Sequence, residues 1–132
     1  GHGGEVALNY CMRSHGGFEG NGQTLRILSR LESFSASAGA NLSRRTLLGV
    51  LKYPVAFSQA RNPAIAPKLF SGPTTLDIID DQASKPPKCY LDCERDVVDW
   101  IINPLSEAER EEFQACDPKN GKHHVPRHKS LD

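Results

Sequence analysis

The chain has 132 residues, enough for one domain or part of one. Lys and Arg number 16 and Asp and Glu number 16, so the formal net charge is +0 and no global field favours nucleic acid or an anionic membrane. No apolar run approaches the roughly 20 residues a membrane-spanning helix needs.

In chain order, Leu8, Cys11 and Met12 recur at i, i+3, i+4 and predict a first helix from about Glu5 to Arg13, with that stripe facing inward. Thr24, Ile27, Leu28 and Leu31 repeat the stripe on a second helix beginning near Asn21, with Arg26 and Arg30 facing away from it. Ser43 caps a third helix carrying Leu47, Leu48 and Leu51, and Pro54 ends it. Residues 54–92 hold six of the nine prolines and read as a long irregular excursion over the surface. Within it, Leu76 to Asp81 reads as a single helical turn or a short strand. Val97 with Ile101, and Val98 with Ile102, mark a fourth helix ended by Asn103-Pro104. Ser106 and Glu109 form a capping box for a fifth, which runs toward Cys116 and breaks at Asp117-Pro118. A polar, basic tail follows, with a turn at Asn120-Gly121. The fold class read from these elements is all-α, divided at 1–53, 54–92, 93–118 and 119–132.

Candidate chemistry starts at the first residues. His2 and Glu5 are three apart, so on a helix they share a face, and the carboxylate can orient the imidazole for proton transfer near neutral pH. So early a pair suggests a chain that begins inside a site. Cys89, Cys93 and Cys116 with His123, His124 or His128 allow a zinc reading; four reduced thiols in a cytosolic protein is the plainer one. Arg44-Arg45 and the Lys119 to Lys129 run are basic clusters that read first as solvated faces.

Larger blocks carry a resemblance. Gly1 to Glu32, with HGGE and HGGFEGNGQTLRILSRLE, then NLSRRTLLGVLKYP, CYLDCERDVVDW and PRHKSLD, resemble the deoxyguanosinetriphosphate triphosphohydrolase family of the HD-domain superfamily. There, a His-Asp-x-Gly-His-Pro-Pro-Phe motif stands immediately before the Gly-His-x-Gly-Glu element that Gly1 to Glu5 matches. The family's metal ligands lie outside the matched blocks, and this chain has no His-Asp dipeptide. The resemblance therefore implies an internal fragment, folded as a partial HD-domain helical bundle with the Pro-rich excursion attached.

It implies hydrolysis of a dNTP, dGTP favoured, to deoxynucleoside and triphosphate by a full-length protein using Mg or Mn. No metal is expected on this chain, which is expected to be inactive alone. His2 and Glu5 are the implied catalytic residues. Glu19, Asn21 and Gln23 are implied at the nucleotide, where they otherwise build a turn and a helix cap. Lys52 and Tyr53 are implied triphosphate contacts, although a cation is favoured at a helix C-terminus in any case. A homo-oligomer, a single-stranded DNA or nucleotide effector at a basic cluster, and a cytoplasmic location complete the implications. A bundle lacking helices is further expected to expose the Leu47–Leu51 stripe. The alternative function is a non-catalytic nucleotide-binding, nucleic-acid-binding or oligomerisation module.

Overall fold

The computed structural model describes residues 1–73 and 78–128. Among them, α1 (His2–Cys11), α2 (Gly20–Arg26), α3 (Arg44–Val50), α4 (Phe57–Ala60), α5 (Asp81–Ser84), α6 (Arg95–Ile102) and α7 (Glu107–Phe113) make a mostly helical fold. The all-α expectation needs one amendment. Strands β1 (Cys116–Asp117) and β2 (Val125–Pro126) pair antiparallel, so the tail folds back as a small hairpin rather than trailing away. Arg127 reinforces it with an ion pair to Asp117 at 2.7 Å. Helix α7 accordingly stops at Phe113, short of Cys116.

Helix α1 begins earlier than its apolar stripe suggests and buries a different face. Leu8 and Met12 are exposed, while Val6 and Asn9 are buried. Asn9 decides the orientation. Its amide donates to the Ser84 carbonyl at 2.9 Å, and its oxygen accepts the Phe18 N–H at 3.0 Å. A fully bonded amide can be buried at little cost, whereas its unbonded groups cannot. The turn after α1 relies on Gly17, whose φ of +80° is left-handed and whose added Cβ would sit 2.7 Å from the Phe57 ring.

Helix α2 continues directly into a π-helical turn, Ile27–Leu31. The Ser29 hydroxyl donates to the Leu25 carbonyl at 2.7 Å, and Glu32 N–H reaches back to Ile27. The wider turn changes the phase of the side chains. Leu25 is the core residue here, Ile27 and Leu31 are exposed contrary to expectation, and the partly exposed arginines reach a buried carboxylate. Arg26 meets the Glu94 carboxylate at 2.7 Å, and Arg30 bonds both Glu94 and Asp96. Glu94 has 0% exposure.

The main core joins Leu25, Leu47 and Leu51 to Val98, Ile101 and Ile102. The α3 stripe is therefore covered, and the exposed large apolar side chains are others, including Leu31 and Phe34. Ser43 caps α3 through the Thr46 N–H, and the Ser106–Glu109 capping box opens α7, both as expected.

The two ends of residues 54–92 are not surface: they enter the core, whereas the described residues from Arg61 to Ala83 are exposed or only partly buried, as an excursion would be. Val55, Ala56, Phe57, Ala60, Cys89 and Tyr90 are buried. A parallel bridge joins Ala56 to Tyr90, with Phe57 N–H donating to Tyr90 and Tyr90 N–H donating to Val55, each at 2.9 Å. Among the described residues of this stretch, α4, α5 and two isolated bridges take the place of the longer elements that prolines prevent. Of the Leu76 to Asp81 reading, Leu76 and Asp77 lie outside the described residues; Ile79 bridges Leu69 and Asp80 caps α5. Among the described residues, no helix is long and apolar enough to cross a membrane.

Glu94 ties α2 and its π turn to α6. Glu94→Ala is expected to lower unfolding stability by about 3 kcal/mol, the low end for breaking a buried ion pair because both arginines are partly exposed. Urea denaturation measures it; a loss under about 1 kcal/mol would show that the carboxylate does not hold these helices.

Candidate functional site

The first turn of α1, the start of α2 and the Pro86-Pro87-Lys88 segment converge on one open cleft. His2 is the first residue of α1 and Glu5 lies one turn on. Their nearest approach, His2 Nδ1 to Glu5 Oε2, is 3.7 Å. The His2 side chain is 95% exposed and Glu5 only 17%, so the imidazole stands in the cleft mouth with the carboxylate behind it. Glu5 is fixed from the far side, because its Oε1 accepts the Gly20 N–H at 3.0 Å. A Cβ on Gly20 would lie 3.2 Å from that oxygen, so the close approach suits glycine.

Glu19 is the N-cap of α2. Its Oε2 accepts the Gly22 N–H at 2.7 Å and its Oε1 accepts the Asn21 amide at 2.6 Å. It is fully buried. A cap carboxylate satisfies orphan N–H groups and the helix dipole, which explains its presence in local terms. What local terms do not explain is Lys88. Its Nζ lies 3.3 Å from Glu5 Oε2 and 3.4 Å from Glu19 Oε1, bridging the two carboxylates.

The charges shift one another. Burial raises the Glu19 carboxyl above its ordinary 4.5, aided by the Glu5 charge; the Gly22 N–H, Asn21 and Lys88 oppose this and do not overcome it. Burial also pushes Glu5 upward, but the Gly20 N–H and Lys88 outweigh it and leave Glu5 below 4.5. Lys88 loses hydration by burial, yet Glu19 and Glu5 hold its ammonium above its ordinary 10.5. Glu5 therefore contributes stability above pH 4.5 that is lost as pH falls through its native value; Glu19 has the opposite sign, contributing below 4.5 and losing it as pH rises.

The structure thus gathers His2, Glu5, Glu19 and Asn21 of the expected residues. Tyr53 lies elsewhere, in a second cleft with Lys119, Lys122 and His124; Lys88 lines both clefts. Lys52 stands over the Tyr53 ring, its Nζ 5.7 Å from the centroid. Neither Lys52 nor Gln23 is among the residues lining either cleft. Sequence reasoning missed Lys88 altogether. Its one signal was a lone cation after two prolines, in a segment taken for surface loop.

The described residues do not gather the donors of the zinc reading. Cys89 is buried, Cys93 is exposed, and all four cysteines are free thiols. His123 and His124 bond carbonyl oxygens. Among the described residues, no three His, Cys, Asp or Glu side chains are placed to share a metal ion.

Curated relatives match the chain over its full length. It is 48% identical over 132 residues to deoxyguanosinetriphosphate triphosphohydrolase-like protein 2 of Deinococcus radiodurans, covering 100% of this chain and 28% of the relative. It is 47% identical over 135 residues to a deoxyguanosinetriphosphate triphosphohydrolase-like protein of Vibrio vulnificus, covering 100% and 30%. The corresponding protein of Shewanella pealeana is 46% identical over 138 residues, covering 100% and 29%. The chain is a homologue of the deoxyguanosinetriphosphate triphosphohydrolase-like proteins. It spans less than a third of their length. No family model matches it.

Within this homologue, Lys88→Met is expected to raise the Glu19 carboxyl further and return Glu5 toward its ordinary range. Carboxyl ¹³C NMR titration reads both; two unchanged midpoints would show that Lys88 does not act on the pair.

Proposed function

We propose that a longer protein containing this chain hydrolyses a dNTP, dGTP by preference, to a deoxynucleoside and inorganic triphosphate. The names of the relatives support the reaction class. The observation that carries the reading within this chain is the exposed His2 backed by Glu5 at 3.7 Å, beside an ammonium held between two carboxylates.

In the reaction, water attacks the α-phosphorus and the bond to the 5′-oxygen breaks. One proton leaves the water and one arrives on the departing oxygen. His2 is the group that moves such a proton. Glu5 faces Nδ1, which leaves Nε2 free toward the open cleft. Glu19 and Asn21 shape the wall where α2 begins, and Lys88 offers positive charge toward phosphate oxygens. The triphosphate leads from that ammonium toward the second cleft, where Tyr53 stands.

A divalent ion, Mg²⁺ or Mn²⁺, belongs to the proposal for the longer protein, because phosphoryl chemistry of this kind uses one to neutralise charge and acidify water. Its donors belong, in the same proposal, to the longer protein; among the described residues no three His, Cys, Asp or Glu side chains converge. An HD-type bundle as the complete fold, a homo-oligomer, control by single-stranded DNA or a nucleotide effector, and a cytoplasmic location are parts of the same proposal. Exposed Leu31 and Phe34 supply apolar surface for further packing.

The test is triphosphate release from dGTP by the longer protein with Mg²⁺ or Mn²⁺. His2→Ala is expected to lower kcat by about 10²–10⁴-fold, the range for general acid–base help. Wild-type turnover in that variant would contradict the role. The 132-residue chain alone is expected to release no triphosphate, and measurable release from it would contradict placing the metal donors elsewhere.

A further inference from the structure

We propose that His123 is the positioning residue for Lys88, fixing where the ammonium enters the site by tethering the Lys85–Lys88 segment to the end of α4. The proposal takes Lys88 as a site residue, as above, but concerns its placement and not the reaction.

The tether is made by both ring nitrogens. His123 Nδ1 accepts the Asn62 N–H at 3.0 Å, so that nitrogen carries a lone pair. Nε2 is 3.1 Å from the Lys85 carbonyl, and only an N–H there can bond it. One species satisfies both contacts: the neutral imidazole with its proton on Nε2. The tail bearing the ring is itself held against α4. His124 N–H donates to Ala60 at 2.9 Å, and the Asn62 amide donates to the Lys122 carbonyl at 3.1 Å.

Rigidity then carries the constraint to Lys88. Lys85 is followed by Pro86 and Pro87, whose rings fix φ and leave little slack before the lysine. Beyond it, Cys89 is buried and Tyr90 is bonded to Val55. Lys88 is therefore set between two anchors, the imidazole before the prolines and the backbone bridge after them.

The neutral ring gives this tether a pH sign. Burial first, and the nearby Arg61 and His124 charges after it, keep the imidazole below its ordinary 6.5; the Lys85 carbonyl works the other way and does not prevail. Arg13 shares the small cavity on one side of the ring, and Lys88, Lys119 and Lys122 line the cleft on the other. Protonation would remove the acceptor for Asn62 and add charge among cations. The contribution of His123 is intact above pH 6.5 and is lost as pH falls through its lowered native value.

NMR on the 132-residue chain tests the tether without measuring turnover, so a failed hydrolase reading and a failed tether remain distinguishable. At neutral pH, His123→Ala is expected to raise the Glu19 carboxyl midpoint in the same direction as Lys88→Met, while His124→Ala leaves it in place. In the wild type, the Lys88 side-chain signals are expected to move in step with His123 protonation. His123→Gln, which keeps an uncharged donor, is expected to abolish that step, and it serves if the alanine variant does not fold. An unmoved Glu19 midpoint in His123→Ala, or Lys88 signals that ignore His123 titration, would overturn the proposal.

Discussion

One ammonium between two carboxylates organises this structure. Glu19 is buried because it caps α2, and Glu5 is drawn to the Gly20 N–H at the start of the same helix. That brings two negative charges close together in a partly dehydrated place, an arrangement that costs free energy without a cation. Lys88 supplies it from far along the chain. The cleft lined by His2, Glu5 and Lys88 is built around that requirement.

A second charge cluster holds the other side of α2. Glu94, fully buried, receives Arg26 and Arg30 across the π turn, so this short helix is pinned at its start by Lys88 and at its end by two arginines. The hydrophobic contribution comes from Leu25 and the faces of α3 and α6 packed against it. Apolar burial gives the helices their contact, and the charged pairs select one registration among those a small core would accept.

The sequence was most legible where structure is local. The Ser43 cap, the Ser106–Glu109 box and the Val97–Ile101 and Val98–Ile102 pairs depend on residues a few positions apart, and each appears as read, Val97 being only partly buried. The failures share a physical cause: a distant partner overrode a local pattern. The Leu8–Met12 stripe lost to Asn9, whose partners are Phe18 and Ser84. Nothing local shows that Arg26 and Arg30 share Glu94 as a partner. Residues 54–92 look like loop because prolines erase periodicity, although their bridge to the core needs none. In the site, the His2–Glu5 spacing was visible because it is helical, while Lys88 was invisible because nothing near it in sequence calls for a cation.

The claim that Lys88 and Glu19 form the interaction on which the site rests is tested most directly by a double-mutant cycle. Lys88→Met, Glu19→Gln and the double variant would be compared by urea unfolding at neutral pH. The expected coupling is about 1 kcal/mol, modest because the Lys88 side chain is 38% exposed. Free energies that add to within about 0.3 kcal/mol would contradict the claim.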